Sequence, residues 1–461
     1  MKMREYMKKA LNSFDTHAEL RSQVSRTRRV SIVSGSLVGN SSSVSKGIGA
    51  RVYNDGVWGF ASKSTCDEKS ALEVLSSAKE NAALLSKGCP KNKGALVTAG
   101  AAEYTEKRPY QDVPQKTLVE FAKEVDSYIE KTYPDLTSRH VGLSTGCIEK
   151  TLTTTEGSFA YQLFPRTYMI VSMSAETSDG STVELFDVIG GGEGYFSDHY
   201  SDPALTFPAV DSLYSELMAK KEGIFPDAGE ALCIIDSSIA GMVAHEAVGH
   251  TVEADLVLAG SVAATNLGKE VASPLISLTD FAHTAFGKRA PLPVYVDDEG
   301  TLCQDAVIIK DGVLKSYMNN LESAQHFGVS PNGNARAYAF SDEPLIRMRN
   351  TAIHPGKDKL EDMIASVDKG YYLTRTQNGQ ADTTGEFMFG ITMGYEIVNG
   401  KLGRALRDTT ISGVAFNMLK TVDMLSDSVS WDFAGYCGKK QPMAVSMGGP
   451  SIRCKVNIGG R

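Results

Sequence analysis

Apolar residues recur at helical spacing in several segments of the first half of the chain, and alternating segments lie between them. Helices are predicted at residues 5–14, at 65–88 with Asp67 as a cap and Gly88 as a stop, at 115–133 and at 208–223. Strands are predicted within residues 151–177 and 181–200, and a hairpin at 47–62 around Asp55-Gly56. Strands and helices therefore alternate through this half.

The second half has a different pattern, in which short strand pairs are joined by turns. A strand at 231–236 and a helix at 237–257 open it, and residues 359–373 predict a further helix. Turns are predicted at Asp298 to Gly300, Asp311-Gly312 and Asn399-Gly400.

The change of pattern coincides with residues 220–231, which combine charge, Gly and Pro as linkers do. A chain of 461 residues also exceeds what one hydrophobic core usually organises. We therefore predict an α+β protein of two domains. Residues 1–222 form a mixed α/β domain, and residues 223–461 form a mainly β domain that carries the helix at 237–257.

Charge and composition narrow the function classes. A formal net charge of -8 argues against a surface that neutralises phosphates, so no nucleic-acid partner is expected. The densest basic run, residues 21–30, is interpreted as a solvated face on the first helix and its exit. The N-terminal segment interrupts its apolar residues with charge, unlike a secretory signal, and no segment approaches the roughly 18 consecutive apolar residues of a membrane span. No CxxC pair occurs among the seven cysteines. These features predict a cytoplasmic protein with no membrane partner.

One short segment has the composition of a metal site. "AGMVAHEAVGHTVEAD", residues 240–255, places His245 and His250 five positions apart with Glu246 after the first. In the zinc motif HExxH the histidines are four positions apart, about 40° on a 3.6-residue helix, whereas a gap of five separates them by about 140°. The spacing therefore predicts a π-type wide turn, with Gly249 supplying backbone freedom, or else no metal.

Two histidines are too few, because a catalytic zinc normally has three protein ligands and a water. The candidates for the third ligand in the same half are Glu253, Asp255, His283, Cys303, Cys437 and Cys454, and spacing does not choose among them. Glu253 and Asp255 are interpreted as partners of the ligands or as surface acids. The glycine-rich residues 189–196 are interpreted as a hairpin or substrate-rim loop, and Arg336 either binds a peptide carboxylate or lies in a surface turn.

The helix motif, "HEAVGHTVEAD", resembles the TldD branch of the TldD/PmbA family, zinc metallopeptidases formerly called modulators of DNA gyrase. Similar landmarks are "GIGARVYNDGVWGFASKS" in the first half and "VYVDDEGT", "DGVLKSYMNN", "SPNGNARA", "RMRNTAIHPGK" and "YCGKKQPMAVSMGGPSI" in the second. Two landmarks depart from the family: "CGKKQP" is one residue shorter than CGKxGQ, and "NGNARAYA" is looser than its counterpart.

The resemblance implies a zinc peptidase that acts on short or unfolded peptides. It implies Cys437 as the third ligand, beside His245 and His250, and a structural role for Cys454. It also implies a dimer that encloses the active site, formed with a second copy or with a TldE/PmbA-like paralogue. In this interpretation zinc activates a water and Glu246 is the general base.

A non-catalytic binding or modulator protein with a structural metal site is the alternative. It would keep the fold and the metal without turnover. Glu246 argues against it, because a structural site has no use for a base beside its ligand.

Overall fold

The computed structural model describes residues 2–88 and 96–460, so Cys89 lies outside the described residues. Seven strands of the first half form one sheet: β1 (Ala18–Val33), β2 (Ser36–Asn54), β3 (Val57–Lys63), β4 (Glu103–Thr105), β5 (Ser138–Thr154), β6 (Phe159–Glu176) and β7 (Thr182–Glu193). The helices of this half are α1 (Lys2–Leu11), α2 (Glu68–Leu85), α3 (Gln115–Thr132), α4 (Phe196–His199) and α5 (Phe207–Lys221).

The strand order of this sheet is β3-β2-β1-β5-β6, with β4 and β7 both paired to β6. Helices α3 and α5 pack their apolar residues on one face, where Leu143 and Val171 are fully buried. The opposite face of β1, β5 and β6 lies against loops of the second half. Gln23 donates to the Tyr338 carbonyl there, and the Gln162 amide donates to the Val296 carbonyl.

The second half contains the remaining elements. Its helices are α6 (Ser237–Met242), α7 (Ala254–Leu258), α8 (Leu321–Phe327), α9 (Leu360–Ala365) and α10 (Ala415–Lys420). Its strands are β8 (Gly229–Ile235), β9 (Leu278–Phe281), β10 (Thr284–Ala285), β11 (Lys288–Arg289), β12 (Ala306–Lys310), β13 (Val313–Leu314), β14 (Ala335–Arg336), β15 (Leu345–Ile346), β16 (Asn350–Ile353), β17 (Lys369–Ala381), β18 (Glu386–Val398), β19 (Lys401–Ala405), β20 (Thr409–Val414), β21 (Met424–Leu425), β22 (Ser430–Asp432), β23 (Tyr436–Cys437), β24 (Met443–Ala444), β25 (Ser446–Gly449) and β26 (Ile452–Ile458).

Two larger sheets of this half enclose the helix that carries the histidines. Strands β17, β8, β26, β20 and β18 pair in a closed circuit, because β18 also pairs with β17. A second sheet has the order β13-β12-β9-β16-β25-β22. Helix α6 and the turn after it pack between β17 on one side and β16 and β25 on the other. The helix is therefore apolar on nearly every side, and its histidine segment lies in the core.

The fold class is α+β, as predicted, and the strands of the two halves do not share a sheet within the described ranges. The two halves are nevertheless in apolar contact, since Met393 and Ala405 pack in the cluster of α3 and α5. The two-domain division at residues 222 and 223 falls between α5 and β8 and stays a prediction.

The interpretation of residues 21–30 as a helix face and its exit is wrong, because they form the middle of β1. Two charges of this strand are paired with residues distant in sequence: Arg26 with Glu149 at 2.8 Å and Arg28 with Asp112 at 2.8 Å. The local sequence pattern does not show which distant residues pair with these arginines. The charged residues therefore did not indicate a strand.

The predicted two-residue turns are confirmed. Asp55, Asp311 and Asn399 each adopt a positive φ before a glycine that does the same, as two-residue hairpin turns require. The helix predicted at 359–373 is shorter, however, because α9 ends at Ala365 and β17 begins at Lys369. Helix α2 likewise begins after its cap Asp67 but ends before Gly88.

Candidate metal centre

The turn that carries the histidines is a π-helix over Val243–Gly249. The backbone N–H of His250 donates to the carbonyl of His245, which closes a turn of five residues. The two imidazole centroids consequently lie 5.2 Å apart, with the ring planes at 79°. This is the wide turn that the five-residue spacing predicts.

Gly249 does not supply unusual backbone freedom, contrary to the expectation from sequence. Its φ of -54° and ψ of -48° are ordinary helical values. A Cβ atom there would instead lie 2.1 Å from the Sδ atom of Met348. The glycine is needed because another side chain packs directly against the backbone of the π-helix.

A two-stranded hairpin brings a thiol to the same place. Cys437 lies on β23, which pairs with β24, and its Sγ atom lies 3.3 Å from Nε2 of His250. One donor atom from each of His245, His250 and Cys437 lies within 4.8 Å of the others. Among residues 2–88 and 96–460, this is the group of three or more such side chains close enough to share an ion.

Buried ligand atoms without partners indicate that the donor set fits a metal ion. Both ring nitrogens of His245 are buried and have no hydrogen-bond partner, although buried polar groups are normally bonded. Burial, followed by the charges of His250 and Arg347, lowers the pKa of His245 well below its ordinary value. A neutral imidazole with free lone pairs, a second imidazole and a thiol match the nitrogen and sulfur ligands of zinc. A metal site at these residues stays a prediction.

The surroundings of His250 and Cys437 shift the pKa of both groups. Burial lowers the pKa of His250, but the Glu253 carboxylate and the Cys437 thiol together raise it to about 10. Burial raises the pKa of the Cys437 thiol, while the hydrogen bond to His250, its charge and that of Arg347 lower it overall. Each group of this pair therefore stabilises the charged form of the other.

Glu253 fixes the orientation of His250. One carboxylate oxygen of this fully buried residue lies 2.8 Å from Nδ1 of His250, so Nε2 is directed at Cys437. Lys439 bonds to Glu253 at 3.2 Å and to Asp255 at 2.7 Å. Glu253 is therefore in contact with a proposed ligand, whereas Asp255 contacts Lys439 and is 37% exposed; neither belongs to the three-residue group.

Glu246 lies beside both histidines and is reached by solvent. Its carboxylate oxygens are 3.6 Å from Nε2 of His250 and 3.9 Å from Nε2 of His245. The side chain is 25% exposed, whereas His245 is fully buried. Burial raises the pKa of this carboxyl; the charge of His250 lowers it by less, and the charge of Glu253 raises it further. A carboxylate in this position can exchange a proton with a molecule bound between the ligands and the solvent.

Arg347 is a structural partner that sequence reasoning missed. Its guanidinium is fully buried and donates to the carbonyls of Cys437 at 2.7 Å, Lys439 at 2.6 Å and Gln441 at 2.7 Å. These bonds hold the β23–β24 loop against the π-helix. The landmark "RMRN" contains this residue, but nothing in its spacing indicates which carbonyls it binds.

The other candidate ligands lie elsewhere. His283 stacks on Tyr295, Cys303 packs against Gly333, and Cys454 lies opposite Cys233 in the β8–β26 pair. Residues 189–193 of the glycine-rich segment lie on β7, which forms an antiparallel pair with β6 as the hairpin interpretation expects, and Phe196 begins α4. Arg336 is buried rather than in a surface turn.

Family models cover most of the chain. The description "PmbA/TldA metallopeptidase domain 1" matches residues 18–82, the central domain of that family matches 108–220, and its C-terminal domain matches 228–460. Within the part of the chain that the structure describes, no helix combines the length and apolarity needed to cross a membrane.

Curated relatives are similar in sequence and name. A "Metalloprotease" of Methanothermobacter thermautotrophicus is 30% identical over 95% of this chain and 94% of its own length. A "Zinc metalloprotease TldD homolog" of Saccharolobus solfataricus is 30% identical over 60% of this chain and 62% of its own length. The crystal structure of TldE from Thermococcus kodakarensis has a TM-score of 0.78 at 19% identity and covers all of both chains, a likeness of fold.

Proposed function

The chain belongs to the PmbA/TldD family of metallopeptidases, and from this premise we propose that it is a zinc-dependent peptidase that hydrolyses short or unfolded peptides. The observation that carries the proposal is the fully buried His245, whose ring nitrogens have no partner while Nε2 of His250 and Sγ of Cys437 lie within 4.8 Å of it. His245, His250 and Cys437 would hold the ion. When bound, zinc supplies a Lewis acid that polarises a carbonyl and lowers the pKa of water.

Glu246 moves the proton in this proposal. Its carboxylate lies between the two imidazoles and solvent, so it accepts a proton from the attacking water and later donates it to the leaving amine. Glu253 and Lys439 act on the position of His250 and of the thiol hairpin rather than on the substrate. A structural metal site would need Glu253 and Lys439 to position its ligands, but it would not need Glu246.

An unpaired strand edge near the thiol hairpin supports binding of extended peptides. Residues 36–47 of β2 pair with β1 but with no other strand of the described ranges. Ser43 and Ser45 of that segment line the same cavity as Tyr436, the residue before Cys437. Addition of a peptide strand there gives affinity through main-chain hydrogen bonds with little demand on sequence.

The working unit in this proposal is a cytoplasmic dimer, of two copies or with a TldE/PmbA-like paralogue. The resemblance in sequence is its basis, and the likeness to TldE concerns the fold. Light scattering of the purified protein, alone and mixed with such a paralogue, measures the assembly directly.

Cleavage of a random peptide library by the purified protein tests the function. Cleavage that stops with a chelator and returns with one equivalent of zinc is expected. Stoichiometric zinc without any cleavage, together with saturable partner binding that the Glu246→Gln substitution leaves unchanged, would instead favour the binding protein.

A further inference from the structure

A cavity of about 240 Å³ lies between the open face of the first sheet and the loops of the second half. Ile148, Phe164 and Tyr168 contribute one wall, and Val294 and Val296 contribute part of the other. Sites for drug-sized ligands measure roughly 300–1,000 Å³. The space therefore suits one apolar or aromatic residue of a larger molecule.

The carboxylates of this cavity are already engaged. Asp298 accepts from Lys150 at 2.6 Å and from the Ala337 N–H at 2.7 Å. Asp297 accepts the backbone N–H groups of Glu299, Thr301 and Ala335. The ion pairs of Asp298 are with Lys150 and, at 3.9 Å, with Arg21, so a further cation in the cavity has no direct carboxylate partner among the described residues.

Arg336 is such a cation. It is 7% exposed and lines the cavity, and its Nη1 atom donates a hydrogen bond to the Met348 carbonyl at 2.6 Å. Within the described ranges no carboxylate lies within 4 Å of its guanidinium. The charges of Asp298 and Asp280 act on it from a greater distance, and these two carboxylates pair with Lys150 and Arg349. Burial and the neighbouring Arg347 lower the pKa of Arg336 to about 10, so it is still charged at neutral pH. Buried charges are normally paired.

Arg166 faces the same space. Its Nη2 atom donates to the carbonyls of Phe433 and Gly435, but its buried Nη1 atom has no partner. Its guanidinium lies over the ring of Tyr436, 4.7 Å from the centroid. Two guanidinium groups without carboxylate partners thus line one cavity with apolar walls.

We propose that this cavity binds the C-terminal carboxylate of a peptide, with Arg336 and Arg166 as its ion-pair partners and the apolar walls around the terminal side chain. Guanidinium groups bind carboxylates through paired hydrogen bonds. An acidic side chain offers the same group, but the apolar and aromatic walls favour a carboxylate whose neighbouring side chain is apolar.

This inference rests on the proposed function and names its substrate class. Tyr436 lines the cavity and Cys437 follows it, about 3.8 Å away between Cα atoms. A carboxylate held in the cavity would place a peptide bond near the C-terminus beside the thiol hairpin. The enzyme would therefore prefer cleavage close to the carboxyl end of its substrates.

Binding of small probes tests the proposal without turnover. Calorimetry on the full chain would compare the binding of N-acetyl-phenylalanine, its amide, and N-acetyl-glutamic acid α-amide. The protein is measured both as purified and after chelation, so that binding of the carboxylate to a metal is excluded. We expect the first to bind at least about 10-fold more tightly than the other two, the factor for one charged hydrogen-bonded pair. Equal binding of acid and amide, or tightest binding of the side-chain carboxylate, would overturn the proposal.

Substitutions identify the residues. Arg336→Gln should remove the preference for the acid, Arg336→Lys should keep part of it, and Arg166→Gln should weaken it. Arg404→Gln, which removes an exposed arginine paired with Glu396, is the charge-matched control and should keep it. If Arg336→Gln does not fold, the comparison of acid and amide binding to the wild type and to Arg166→Gln still tests the proposal. Retention of the preference in a folded Arg336→Gln protein refutes the assignment, while acid preference without peptide cleavage would refute only the proposed function.

Discussion

The N–H of His250 donates to the carbonyl of His245, and this single backbone bond converts a spacing unsuited to a shared ion into one that brings the two rings 5.2 Å apart. An α-helical turn through the same residues would direct them about 140° apart. The geometry of the candidate centre therefore depends on how the π-turn is packed.

Gly249→Ala should destabilise the protein. The new Cβ would lie 2.1 Å from Sδ of Met348, and overpacking a dense core typically costs about 1–3 kcal/mol. Gly438→Ala is the matched control, because a Cβ there meets nothing within 4 Å. Urea unfolding of the three proteins measures the effect, and equal midpoints for the two variants would show that the π-turn tolerates a side chain.

Cys437→Ala should lose zinc, while Cys454→Ala should keep it. Removal of a direct ligand is expected to weaken binding by more than the roughly 10–100-fold typical of a supporting partner. Cys454 lies opposite Cys233 inside a sheet, away from the histidines. Zinc content after dialysis against a weak chelator distinguishes the two, and equal retention would disprove the ligand assignment.

Glu246→Gln should retain zinc and lose hydrolysis. The amide is nearly isosteric with the carboxylate but cannot accept a proton, so kcat should fall by about 10²-fold or more. Peptide cleavage and metal content are measured on the same preparation. Turnover close to that of the wild type in a fully metallated sample would require another base.

Glu253→Gln should weaken zinc binding by about 10–100-fold, the usual range for a partner that orients a ligating histidine. The carboxylate bonds to Nδ1 of His250 at 2.8 Å. Asp255→Asn is the control, because Asp255 also contacts Lys439 but not the histidine. Competition with a fluorescent zinc chelator gives both affinities, which should differ.

His17 should make stability depend on pH. Burial lowers the pKa of this histidine, but Glu156 at 2.6 Å and Glu19 at 3.0 Å raise it from 6.5 to about 9. Because the folded pKa exceeds the unfolded one, the stabilisation is fully present below pH 6.5 and is lost as pH rises to about 9, with an upper bound of about 3 kcal/mol.

The comparison with His17→Gln isolates that contribution. The difference in free energy of unfolding between the wild type and the variant should shrink from pH 6 to pH 9.5. A difference that stays constant over this range would mean that His17 keeps the same charge in both states.

The sequence predicted those features of the fold and site that depend on neighbouring residues. Asp55-Gly56 formed its turn as expected, and the gap between His245 and His250 indicated a π-turn. Features that depend on distant partners were missed. Arg347 donates to carbonyls about ninety positions away, and the charge of Arg26 on β1 is paired with Glu149 on β5. The sequence predicts a conformational role for Gly249, but the structure shows that its lack of a side chain makes room for Met348.

The separation of 187 positions between His250 and Cys437 has a consequence for protein synthesis. Ribosomes add about 5–20 residues each second, so the histidines emerge on the order of ten to forty seconds before the thiol. During that interval the nascent chain has two of the three proposed ligands and no hairpin to complete the set. If these residues hold the ion and the protein cleaves unfolded peptides as proposed, it cannot act on its own unfolded segments, or on neighbouring nascent chains, until translation has passed Cys437 and the second half has folded.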